Sequence, residues 1–213
     1  MTLNESGHFI PIEKIPVITD RDTIVTAFRQ LNEAKIGGLM VLKRLNAQQD
    51  INSFDKAIFL RSLPLEKYDS IGWYVTGDWM IKVYRLLSES LTDPIRGERL
   101  SMSALVGDSR FDETTRETRA LSTSPGIDEI REEIIRIQGV VPNDHSSDDL
   151  QNRADAVFLV RDSSGQPLGW FLNHENVVAT IQTPPPVFKC ENGHENPDPD
   201  NGRCYECPAK IIC

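Results

Sequence analysis

Apolar residues recur three and four positions apart in TIVTAFRQLNEAKI (23–36), GDWMIKVYRLLSES (77–90), IDEIREEIIRI (127–137) and NHENVVATI (173–181), which predicts four amphipathic helices. Short apolar runs stand between them: GGLMVL (37–42), AIFLR (57–61), GWYV (72–75), GVV (139–141), AVFLV (156–160) and GWFL (169–172). Runs this short, rich in β-branched and aromatic residues, read as buried strands. RDSSGQPL (161–168) places Ser-Ser-Gly between two of them and predicts a hairpin. NAQQDINSFD (46–55) and NDHSSDDLQN (143–152) are polar and aperiodic and are expected as exposed loops. Residues 93–120 read as a linker carrying a strand or a short helix.

These elements occur twice. AIFLR and GWYV are echoed by AVFLV and GWFL, and Gly38 by Gly139, each roughly 100 residues further on. Each copy reads helix, apolar run, polar loop, strand, turn, strand, helix. The tryptophans of GWYV and GWFL are expected in the core or between the copies. TPPPV (183–187) fixes φ and removes backbone donors, so it forms a stiff spacer after the duplicated body.

The last segment, FKCENGHENPDPDNGRCYECPAKIIC (188–213), holds all four cysteines of the chain. Its spacing, C-x3-H and then C-x2-C, suits a closed tetrahedral zinc site formed by Cys190, His194, Cys204 and Cys207. Asn192-Gly193 and Asn201-Gly202 supply residues that tolerate the positive φ of tight turns. A segment this small has no apolar core of its own, so the metal is expected to organise it. Cys213 is a fifth candidate and is able to replace His194. The pattern Phe188, Cys190, Gly193, His194, Asn196, Cys204, Cys207 resembles the zinc-ribbon family, whose members act as contact modules between proteins.

Composition narrows the function. With a formal net charge of -9 over 213 residues, the chain lacks the cationic surface that nucleic acid requires. No basic segment leads into an apolar run, and no run reaches the ~18 apolar residues of a membrane span, so a cytoplasmic protein without a membrane partner is expected. His8, His145 and His174 are scattered and are expected at the surface. Asp144, Asp148 and Asp149 lack the alternation of a calcium loop. No phosphate loop, nucleophile elbow or H-E-x-x-H motif occurs, so no enzyme is expected.

The duplicated body resembles a tandem pair of cystathionine-β-synthase (CBS) domains, regulatory modules that bind adenosine nucleotides between their halves. The likeness is carried by GWYVTGD (72–78) and GWFLNHE (169–175), with AIFLR and AVFLV as middle strands. It implies an α+β fold of two βαββα repeats (about 10–92 and 120–182) in a body of residues 1–182, packed about a pseudo-two-fold axis, and a homodimer. It also implies an adenine nucleotide held by Thr76, Asp78 and Glu175. An aspartate at a helix start can bind ribose hydroxyls while helix N-termini attract phosphate. Asp78 is equally suited to capping its helix. Together these features point to a regulatory sensor whose ribbon contacts a protein partner, with a ligand-free interaction adaptor as the alternative.

Overall fold

The computed structural model describes residues 6–43, 60, 69–90, 101–106, 115–121, 128–130, 132, 157–184, 188–196, 204 and 211–212. They form a mixed α and β body and a small separate sheet. After β1 (Phe9–Pro11) and a 3-10 turn come β2 (Val17–Thr19), α1 (Ile24–Ala34), β3 (Gly38–Leu42), β4 (Ser70–Thr76) and α2 (Gly77–Ser90). A short α3 (Met102–Val106) precedes β5 (Arg116–Leu121), β6 (Val157–Arg161), β7 (Pro167–Phe171) and α4 (His174–Ile181). The tail supplies β8 (Phe188–Cys190), β9 (Glu195–Asn196) and β10 (Ile211–Ile212).

The seven body strands join in the order β1-β7-β6-β5-β4-β3-β2. β2 is parallel to β3 and β3 antiparallel to β4; β5, β6 and β7 repeat that arrangement, and antiparallel pairing of β4 with β5 joins the halves. This sheet cannot be flat. Six interstrand steps would separate β1 from β2 by about 29 Å, yet the six residue steps from Pro11 to Val17 reach at most about 22 Å. The 3-10 turn at Ile12–Lys14 shortens that reach further. The sheet therefore curls until its edges approach, and the repeats follow one another around an axis along the strands.

One core fills the inside of the curl, built from Met40, Leu42, Ile71 and Tyr74 of the first half and Ala120, Val157, Leu159, Trp170 and Leu172 of the second. A second core lies on the other face, where Leu39, Val41 and Val75 pack beneath α1, α2 and α3. Alternation along β3 divides its residues between the two cores. A register shift between Ser70 and Gly72 turns Ile71 to the same side as Tyr74.

Local chemistry explains the element ends. Thr23 caps α1 by accepting from the Thr26 N–H at 3.2 Å, and Lys35 closes it in the left-handed region at φ 56°. The 161–168 hairpin forms as expected: Gly165 takes φ 81°, and Asp162 accepts from Ser164 and Gln166. The hydroxyl of Ser164 and the Gln166 N–H hold the Asp162 carboxyl below its ordinary range.

Two expectations are corrected and a third is extended. The middle strand of the first repeat is Gly38–Leu42, which pairs with β4; Leu60, within AIFLR, is helical and fully buried in the inner core. A five-residue apolar run satisfies either a strand or a helix, and burial alone does not choose. The long polar insertion thus follows the middle strand in the first repeat and precedes it in the second. The stretch read as a linker, 93–120, carries α3 and all of β5 but its last residue, with α3 anchored by Met102 N–H to Asp22 O at 2.7 Å. His8 is 9% exposed, its Nδ1 3.0 Å from the Leu172 carbonyl oxygen and its ring beside Phe171. Of the helix expected at 127–137, residues 128–130 and 132 are helical; the rest, the loops 46–55 and 143–152, and GVV lie outside the described residues.

Candidate functional site

The helices that follow the last strand of each repeat begin alike. Thr76 ends β4, and its Oγ1 accepts from the Trp79 N–H at 3.2 Å. Asn173 follows β7, and its Oδ1 accepts from the Asn176 N–H at 2.8 Å. Both are N-caps, so an acid stands two residues further on in each first turn: Asp78 in α2 and Glu175 in α4, both exposed. The capping role open to Asp78 therefore belongs to Thr76, and the Asp78 carboxylate is left to face outward.

Thr76, Asp78 and Glu175 line one cavity of about 320 Å³. Its remaining walls include Tyr74, Trp79, Lys82, Arg116, Asn176 and Ala179. Burial divides this lining in two. Tyr74, Trp79 and Asn176 are 1%, 6% and 5% exposed and form an uncharged floor. Asp78, Lys82 and Glu175 are exposed and Arg116 is half-buried, so the rim carries two acids and two bases. Arg116 and Glu175 stand 4.0 Å apart, a loose pair with Glu175 71% exposed.

A close junction between the repeats holds the floor. The Tyr74 hydroxyl lies 3.1 Å from the Asn176 carbonyl oxygen and 2.7 Å from Thr180 Oγ1, tying β4 to α4. Burial pushes this phenol up to about 12, with the Thr180 hydrogen bond pulling the other way. Gly37 donates to the Thr180 carbonyl at 2.9 Å and accepts from the Gly77 N–H at 2.9 Å, so one residue joins the end of α4 to the start of α2. A side chain at Gly38 would strike the Tyr74 ring, which sets the close approach of strand and tyrosine.

Thr76, Asp78 and Glu175, read from the sequence, thus meet in space. Lys82, Arg116, Asn176 and Tyr74 were missed. Lys82 stands one helical turn after Asp78, a spacing that places both on one face. Arg116 carried no such signal, because the strand holding it was not resolved by pattern.

In the tail, β8 lies between β9 and β10. The Cys190 N–H donates to the His194 carbonyl at 3.0 Å, and the Gly193 N–H to the Cys190 carbonyl at 2.8 Å. This turn, with Gly193 at φ 81°, brings Cys190 and His194 together, and Cys204 joins them. The three ligand atoms lie within 4.8 Å of one another. Zinc bonded to sulfur at ~2.3 Å and to nitrogen at ~2.05 Å sets a tetrahedral S···N edge of about 3.6 Å. Cys204 Sγ and His194 Nδ1 are 3.8 Å apart, so the donor set fits such an ion. Cys207 and Cys213 lie outside the described residues.

No family model matches the chain, and no curated protein matches it. Its structural neighbours are CBS-domain proteins. A hemolysin-like protein containing a CBS domain from Oenococcus oeni PSU is 12% identical, with a TM-score of 0.41 over 82% of this chain and 86% of that one. The CBS-pair protein CBSX2 of Arabidopsis thaliana is 13% identical, with a TM-score of 0.36 over 80% and 88%. CBSX2 in complex with AMP gives 13%, 0.35, 80% and 90%. The repeat architecture therefore rests on the chain's own strand order and contacts. No described helix is long and apolar enough to cross a membrane.

Proposed function

We propose that this chain is a non-catalytic regulatory protein: a CBS-like pair of repeats that binds an adenine nucleotide, followed by a zinc ribbon that contacts a partner protein. The observation that carries the reading is the meeting of two equivalent helix starts, each with an acid behind its cap, on a single cavity. An acid in the first turn with no capping duty is suited to a ribose diol. Helix N-termini together with Lys82 and Arg116 are suited to phosphate. The cavity is of the size that small-molecule ligands occupy, about 300–1,000 Å³. Because the repeats meet through Tyr74 at its floor and through Gly37, a ligand there bears on the angle between them, which is the physical basis for sensing.

Zinc in this reading is structural. Cys190, His194, Cys204 and Cys207 would hold it, leaving no open position for chemistry.

A thermal-shift series with AMP, ATP and S-adenosylmethionine tests the first part. At a concentration of 100 Kd, a ligand that binds only the folded chain adds about 2.7 kcal/mol and raises the melting temperature by several degrees. No shift with any of the three contradicts nucleotide sensing and leaves the ligand-free adaptor. Elemental analysis tests the second part, with one zinc per chain expected and none contradicting it.

A further inference from the structure

The floor of the cavity contains a buried polar group without a partner. Asn176 lines the cavity at 5% exposure, and its Nδ2 makes no hydrogen bond. The backbone of the same residue is satisfied: its N–H bonds to Asn173, and its carbonyl accepts from Tyr74 and Thr180. A sealed amide N–H is costly to leave unpaired and is uncommon in folded chains.

We propose that Asn176 is a specificity-determining residue of this cavity, its amide donating to an uncharged acceptor on the ring end of the ligand while the charged end stays at the rim. The inference rests on the nucleotide reading above and adds the ligand's orientation and the group that selects it. The acceptor is uncharged because Tyr74, Trp79 and Asn176 offer no counter-charge, and an anion sealed among them would lose its hydration uncompensated. All four charged side chains of the lining lie at the rim, where Lys82 and Arg116 supply positive charge beside a phosphate. A purine ring nitrogen meets the demand at the floor. The ring therefore points inward and the phosphate outward.

Calorimetry with AMP on the full chain, paired with melting of the ligand-free protein, tests this in two variants. Asn176→Leu branches at the same carbon, is larger and has no donor, and Asn176→Asp keeps the shape with no donor at neutral pH. In both, the AMP affinity should fall at least tenfold. The ligand-free melting temperature of Asn176→Leu should hold or rise, because an unpaired amide has been removed. AMP binding unchanged in both variants, or a fall in ligand-free melting temperature in both, would mark Asn176 as a structural residue and overturn the inference, with the nucleotide reading intact. Failure of the unaltered chain to bind AMP, ATP or S-adenosylmethionine overturns both.

Discussion

Tyr74 connects the repeats through one oxygen atom, and its environment makes that connection sensitive to base. Burial pushes its hydroxyl up to about 12 in the folded chain, against the ordinary 10 once unfolded. A raised value means the fold favours the protonated phenol. The stabilisation is complete below pH 10 and is lost as pH climbs from 10 to 12, by about 2–3 kcal/mol. Urea unfolding across that range should show a steeper decline for the unaltered chain than for Tyr74→Phe. Gly38→Ala drives a methyl group into the same ring and should destabilise by about 1–3 kcal/mol, measured the same way. Thr76, Asp78 and Glu175 were legible because they sit at fixed places beside two recognisable strands. Asn176 was not, because its significance lies in what fails to bond with it, and only packing reveals that.

Caps and the acids that follow them separate cleanly among the elements. Asn173→Ala and Thr76→Ala each remove a helix cap and should lower stability by about 1 kcal/mol. Asp78→Asn removes no such bond and loses only its favourable place at the helix start, so it should cost less stability than Thr76→Ala while weakening nucleotide binding. A fall in stability equal to that of Thr76→Ala would return Asp78 to a structural role. Long periodic helices such as α1 and α2, the hairpin and the two tryptophan-bearing strands were readable from pattern. The middle strand of the first repeat was misplaced, because AIFLR resembles AVFLV in composition while GLMVL occupies the paired position. Local sequence does not encode which apolar run pairs with β4. In the tail, spacing alone pointed to Cys190, His194, Cys204 and Cys207, and the three of these that are described lie together, since ligands and turns specify such a cluster more than packing does. Chelation should raise amide exchange across 188–196 while β3 and β4 keep their protection.

At the scale of the whole molecule, the curled sheet does what neither repeat does alone. Its shared core draws six strands around one interior, and α4 of the second repeat comes to rest against β3 and β4 of the first. Duplication was visible in the sequence, but the joining of the halves through β4 and β5 was not, because that pairing depends on a strand with little apolar pattern. The cavity lies where the helix starts of both repeats converge, so the proposed ligand would be linked there to the geometry of the body. Titration calorimetry of AMP, ATP and S-adenosylmethionine into the full chain, repeated with the doubly altered Asp78→Asn, Glu175→Gln protein, addresses that link most directly. The account predicts saturable heat at one site per chain for at least one of the three, lost in the altered protein. Heat that is absent from the unaltered chain, or unchanged when both acids are neutralised, would contradict it.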